Sequence, residues 1–186
     1  MALDAAKQLL SSGCDFGKFT VDTIASRADL SRQTVYHHFR SKRGILESLF
    51  DSIGQDSGLV DGIFRFLSET DVDQAVELFV KTFCQFWGTN RTIISKLMAL
   101  SELDPDLSEA LYERKSRRRH AVAVLSDKIT KDRGTGNFKT QEEMGDAIWA
   151  LTGFESFCEL LDKGLDQNAA TERVISILKA SLPQVN

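Results

Sequence analysis

The sequence predicts an all-α protein: a small three-helix head followed by a longer helical body of about five to six helices. Three observations carry this. Apolar residues recur at three- and four-residue spacing along most of the chain, the period of helices buried on one side. Only two prolines, Pro105 and Pro183, occur in 186 residues, so helices can run long. Residues 20–48, TVDTIASRADLSRQTVYHHFRSKRGILES, break into short capped segments, unlike the longer pattern that follows.

The first helix takes residues 2–12, with Leu3, Ala6, Leu9 and Leu10 on one face, and residues 13–17 (GCDFG) end it. Thr20 is placed to cap the second helix, with Asp22 in its first turn. Ala28, Asp29 and Leu30 form a turn. Ser31 caps the third helix. Ser41 caps a fourth, which continues through Ile45, Leu46, Leu49, Phe50 and Ile53. Beyond Gly54 the spacing predicts helices over 57–68, 72–89, 91–102, 106–132, 140–163 and 168–182. Thr70 or Asp71 caps one of these, Asp104 and Pro105 open another, and residues 133–137 (RGTGN) form a loop. The division expected is a domain over 1–55 and a second over 56–186.

Composition narrows the class. With 42% hydrophobic and 27% charged residues, the chain has enough apolar surface to fold as a globular protein. The formal net charge is −4, which argues against a general nucleic-acid coat. Residues 20–43, however, carry Arg27, Arg32, Arg40, Lys42 and Arg43 against only Asp22 and Asp29, so a basic head sits on an acidic body. Cys84 and Cys158 lie among apolar residues as small hydrophobes, and nothing near Cys14 would activate its thiol. No signal peptide or apolar run of about 18 residues is present, which predicts a cytoplasmic protein with no membrane partner.

Within the head, Ile24, Ala25, Ala28, Leu30, Val35 and Phe39 form an apolar set. Ala25 is small enough for the third helix to cross closely, and Val35 with Phe39, four apart, seats that helix. Arg32, Gln33, Thr34, Tyr36 and His37 are left facing outward. Arginine can read guanine and glutamine adenine through paired hydrogen bonds. Thr34 suits a thymine methyl or a phosphate, and Tyr36, His37 and Lys42 suit phosphates. Thr20, Ser31 and Ser41 stand at helix N-termini, where backbone N–H groups favour phosphate oxygens. This is a helix-turn-helix DNA-binding head whose third helix would enter the major groove. His37 and His38 point about 100° apart on a helix and make no metal pair.

The run T-V-x-x-I-A-x-x-A, then S-x-x-T-V-Y-x-H-F, then S-K-x-x-I-L is similar to the DNA-binding signature of the TetR family of bacterial transcription regulators. Thr20, Val21, Ile24, Ala25, Ala28, Ser31, Thr34, Val35, Tyr36, His38, Phe39, Ser41, Lys42, Ile45 and Leu46 carry the match. It covers about the first 55 residues. Asp29 departs from the pattern at a turn position where the family usually has glycine, and a basic arm ahead of the first helix is missing.

The resemblance implies a bacterial, nucleoid-associated regulator, a body that binds a small molecule, and pairing of the last two helices into a dimeric four-helix bundle. Met144, Ala147, Ile148, Leu151, Phe154, Cys158 and Leu161, with Val174, Ile177, Leu178 and Leu182, supply apolar faces there, and Gly145 and Gly153 would allow close helix approach. Aromatic residues cluster at Phe79, Phe83, Phe86 and Trp87 and again at Trp149, Phe154 and Phe157. Arg118 and Glu155 interrupt apolar stripes, and a buried charge needs a partner. Phe83, Trp87, Met98, Arg118, Trp149, Thr152 and Glu155 are the expected effector contacts, with Arg118 or Glu155 facing the pocket or the two paired. The basic run 114–119 spreads around its helix and reads as a solvated face.

The expected function is a DNA-binding transcription regulator, a repressor acting as a homodimer on a palindromic double-stranded operator and released by a hydrophobic or aromatic effector. A ligand-independent regulator switched by a protein partner, or an architectural protein, is the rival. No G-x-S-x-G, metal-spaced His/Cys set or Gly-rich phosphate loop is present, so neither an enzyme nor a metal or other cofactor is expected.

Overall fold

The computed structural model describes residues 1–12 and 18–184, so the expected helix end at residues 13–17, with Cys14, lies outside the described residues. Among the described residues there are ten helices: α1 (Ala2–Ser11), α2 (Val21–Arg27), α3 (Arg32–Phe39), α4 (Lys42–Asp56), α5 (Leu59–Ser68), α6 (Val72–Ser101), α7 (Pro105–Arg133), α8 (Gln141–Leu151), α9 (Phe154–Asp162) and α10 (Gln167–Ser181). The all-α class is as the sequence predicts. The helices outnumber a three-helix head with five or six more.

The 72–89 and 91–102 segments form one helix, α6, which runs unbroken through Asn90. A Cβ at Gly88 would lie 2.3 Å from the Gln167 Oε1, so the glycine makes room for that side chain. The 140–163 segment divides into α8 and α9, since Gly153 leaves the helical region and becomes the N-cap of α9. That break removes the apolar stripe expected to carry Glu155, which is exposed in the first turn of α9. Gly145 does serve close approach, for a Cβ there would lie 3.2 Å from the Ser126 Oγ.

The chain forms two compact units: Met1–Asp56 with Asn90–Lys115, and Ser57–Thr89 with Ser116–Asn186. The helices α6 and α7 each supply residues to both. In the first unit Ala6, Leu9, Leu10, Ile24, Ala25, Val35, Ile45, Leu46 and Leu49 are buried. Charges bind α4 to the start of α7. Arg43 pairs with Glu109 and Glu113 as well as Glu47, and Arg114 pairs with Asp51 while donating to the Glu47 carbonyl. In the second unit Phe66, Phe79, Leu125, Ile129, Met144, Ile148, Phe157 and Leu178 share one core. Arg133 holds Asp73 through two hydrogen bonds of 3.1 and 3.0 Å, tying the end of α7 to the start of α6.

Candidate nucleic-acid interface and a buried cation

The helix-turn-helix is built by local chemistry. The Thr20 Oγ1 accepts the Thr23 N–H at 3.2 Å, and the Ser31 Oγ accepts the Thr34 N–H at 3.0 Å. The Ser41 Oγ likewise accepts the Gly44 N–H at 3.0 Å. Each hydroxyl satisfies an N–H that the first turn of its helix leaves unpaired. Between α2 and α3 the chain turns through Asp29 at φ 53°, the left-handed region that a short polar side chain tolerates. The residue that departs from the family pattern thus adopts the backbone for which glycine is usual.

Of α3 only Val35 is buried, with Phe39 half-buried beside it. Ser31, Arg32, Gln33, Thr34, Tyr36 and His37 are all exposed, and so are Thr20 and Ser41. The Arg32 guanidinium lies 5.3 Å from the Tyr36 ring centroid, and its Nε is 3.2 Å from the Asp22 carboxylate. The bond to Tyr36 and the charge of Asp22 both raise its pKa. Lys42, expected at a phosphate, is engaged by a carboxylate in the DNA-free chain. Its ammonium is bonded to Asp104, the residue that caps α7 by accepting the Leu107 N–H at 3.1 Å. The basic surplus of the head is therefore largely bridged: Arg32, Lys42 and Arg43 each hold a carboxylate.

In the second unit, Phe83, Trp87, Arg118, Trp149 and Thr152 come together. Arg118 is 8% exposed. Its Cζ lies 4.0 Å from the Trp149 ring centroid, 5.5 Å from that of Phe83 and 5.9 Å from that of Trp87. Its Nη2 donates to the Trp149 carbonyl at 2.8 Å and to the Thr152 Oγ1 at 2.7 Å. The Thr152 hydroxyl in turn donates a hydrogen bond to the Ile148 carbonyl at 2.7 Å, and the Trp87 Nε1 donates to the Thr152 carbonyl at 3.0 Å. The C-terminal end of α8 thus presents the Trp149 carbonyl and the Thr152 hydroxyl to a cation, at the favourable end of a helix dipole. Burial nonetheless pushes the guanidinium down to about 10, against the pull of the Glu155 carboxylate.

Of the two charges expected on apolar stripes, Arg118 is buried and Glu155 faces solvent. Met98 belongs to the first compact unit. Sequence reasoning missed Arg119, which stacks on the same Trp149 ring at 4.5 Å, and the pairing of Trp87 with Phe154 at 5.7 Å. The basic run is not one solvated face either, since Arg114 pairs with Asp51 and Arg118 is buried. Two hollows lie elsewhere, one of about 500 Å³ beside Val35 and Phe39 and one of about 190 Å³ beside Gln85 and Thr171.

Short capped helices with an exposed polar third helix, on an all-helical chain, form a helix-turn-helix head of the kind that binds DNA. Residues 2–49 match the model of the family described as bacterial regulatory proteins, tetR family. The chain's fold is that of solved regulators. NalD, the secondary repressor of the MexAB-OprM multidrug efflux pump in Pseudomonas aeruginosa, is 19% identical with a TM-score of 0.74, over 98% of this chain and 94% of that one. The transcriptional regulator FadR from Bacillus subtilis, in complex with stearoyl-CoA, is 16% identical with a TM-score of 0.75, over 97% of each chain. A protein described as a transcriptional regulator from Saccharomonospora viridis, in complex with choline, is 16% identical with a TM-score of 0.72, over 98% and 96%. No curated protein matches the sequence. Among the described residues no helix is long and apolar enough to cross a membrane, and no group of three or more metal-ligating side chains occurs.

Proposed function

We propose that this chain is a cytoplasmic repressor that binds a palindromic operator as a homodimer and leaves it when a small effector enters the body. The observation that carries the DNA reading is α3 itself: one buried anchor, Val35, under an exposed row of Arg32, Gln33, Thr34, Tyr36 and His37. Gln33 and Arg32 read bases, Thr34 reads a methyl or a phosphate, and Tyr36, His37 and the N-termini at Thr20, Ser31 and Ser41 hold the backbone. Lys42 is left out of that set because Asp104 holds it.

Two heads must be spaced to meet half-sites about one DNA turn apart. Pairing through α9 and α10 supplies that spacing. The face of α10 formed by Ala169, Arg173, Ser176, Ile177 and Ala180 is exposed, and its small residues suit close approach of a second copy. The head is residues 1–55 and the regulatory body 56–186, with α6 and α7 as the covalent links along which an effector would change the head spacing. The effector need only favour one spacing by a few kcal/mol. Regulators of this fold are seen with ligands as different as choline and stearoyl-CoA, so the fold alone does not choose the effector.

One observation favours the reading in which a protein partner switches the regulator. The rings of Phe79, Phe83, Trp87 and Phe154 pack in sequence at centroid separations of 4.7, 6.1 and 5.7 Å, so a ligand must part them. The deciding experiment is fluorescence anisotropy of the purified protein with the duplex upstream of its own gene, against a scrambled duplex, across a salt series. Native preference of about a thousandfold, weakening with salt, supports a specific regulator; equal weak binding to both duplexes counts against it.

A further inference from the structure

A guanidinium taken out of water needs its charge and its N–H groups answered. At Arg118 the answer is incomplete. Nη2 has two acceptors, both at the end of α8. Nε is buried and meets no acceptor among the described residues. No carboxylate bonds this guanidinium among the described ion pairs, and Glu155, whose field reaches it, is exposed. The neighbouring charge is a second cation: Arg119 stacks on the same Trp149 ring, at 4.5 Å against 4.0 Å for Arg118. The surroundings are otherwise apolar or aromatic, with Phe83 buried and Trp87 half-buried.

A purely structural role accounts for part of this, since a cation at a helix C-terminus is favourable. It does not account for the unanswered Nε; Arg119, by contrast, is exposed and has water to answer its charge. The Nε–H is answered by an anion beside the guanidinium, one oxygen accepting from Nε while its charge balances that of Arg118. The rings would then hold the apolar remainder of the same molecule. A cationic ligand is disfavoured, because Arg118 already fills the aromatic enclosure with positive charge.

We propose that Arg118 is the anchor of an effector site for a carboxylate carried on an apolar body, with Trp149, Trp87 and Phe83 around that body. The inference rests on the reading that the body takes a small effector. It adds the sign of the ligand and the residue that selects it.

Trp87 and Trp149 are the two tryptophans of the chain, and both stack on Arg118. Intrinsic fluorescence therefore reports directly on the site. The full-length protein is titrated with decanoate, decan-1-ol and decyltrimethylammonium, all below their micelle concentrations, with calorimetry as an independent readout. Decanoate is expected to bind at least about tenfold more tightly than decanol, and the ammonium more weakly still. Arg118→Met is expected to abolish the preference for decanoate while leaving decanol binding, and Arg118→Lys to keep part of it. The wild-type series decides the matter even if a variant misfolds. Equal binding of all three overturns the carboxylate inference but leaves an apolar effector pocket standing. A decanoate preference that survives Arg118→Met overturns the assignment to Arg118. Binding by none of the three overturns both the inference and the pocket reading beneath it.

Discussion

Arg118 meets Trp149 twice: its guanidinium lies 4.0 Å from the indole centroid, and its Nη2 donates to the carbonyl of the same residue at 2.8 Å. One contact is with the ring and the other with the helix end that carries it, so the pair fixes both the cation and the break after α8. If this were chiefly a structural device, removing the cation would be costly. If the fork waits for a ligand, the desolvated charge is itself a burden that an apolar side chain relieves. Arg118→Met is therefore expected to change stability by no more than about 1 kcal/mol in urea unfolding. A loss of about 3–5 kcal/mol would make Arg118 a structural keystone.

Asp22 holds Arg32 at 3.2 Å, with both side chains about 60% exposed. Such a pair is weak in water, yet its carboxylate stands in the first turn of α2, where a phosphate would dock. Asp22→Asn is expected to bind operator about threefold more tightly at low salt, the gain shrinking as salt rises. Anisotropy at two salt concentrations checks it. Weaker binding by the variant would mean that Asp22 orients Arg32 for DNA rather than competing with it.

Lys42 and Asp104 make a stability prediction rather than a binding one. Burial raises the Asp104 pKa, but the bonds from Lys42 and from the Leu107 and Asp106 N–H groups outweigh it, and the net shift is downward. A depressed carboxylate stabilises the fold above its ordinary titration range and ceases to do so as pH falls through its folded value. Lys42→Ala is expected to cost about 1 kcal/mol at pH 7, with the deficit closing below about pH 4. Its operator affinity, measured on folded protein, should fall far less than that of Tyr36→Phe. A large loss of affinity at unchanged stability would return Lys42 to the phosphate contacts.

What the sequence made legible is local. Thr20, Ser31 and Ser41 could be read as caps because capping needs only a hydroxyl three residues before the N–H it accepts. Arg118 could be singled out because a charge on an apolar stripe is anomalous without any knowledge of its neighbours. Asp104 as the partner of Lys42 was not legible, since 62 residues separate them. The role of Gly88 was not legible, since the Gln167 side chain it makes room for comes from another helix. The true break at Thr152 was hidden because Ile148, Leu151 and Phe154 keep helical spacing across it. Met98 was grouped with the aromatic residues by hydrophobicity alone.

Gly44 is the position at which the head tolerates no side chain. A Cβ there would lie 2.0 Å from the Phe39 carbonyl oxygen, a backbone atom that moves only with the end of α3. Gly44→Ala is expected to destabilise the protein by about 2–3 kcal/mol, because the overlap must displace the turn through Arg40, which already sits at φ 62°. Thermal unfolding of variant and wild type checks it. An unchanged midpoint would mean that the α3–α4 turn relaxes freely.

Gln33 carries the prediction closest to function. It is exposed in the first turn of α3, next to the capped N-terminus that a major-groove helix directs at base edges. Its amide can accept from the adenine N6 amino group while donating to N7, a pairing no other base offers. Truncation removes both bonds and leaves the phosphate contacts at Thr20, Tyr36 and Ser41 in place. Gln33→Ala should therefore lose about 1–3 kcal/mol on the best operator and almost nothing on duplexes altered at that one base pair, with an unchanged salt slope. A uniform loss across all duplexes, with a shallower salt slope, would reassign Gln33 to the backbone. An unchanged ranking of operator variants would show that α3 reads its bases through Arg32 and Thr34 instead.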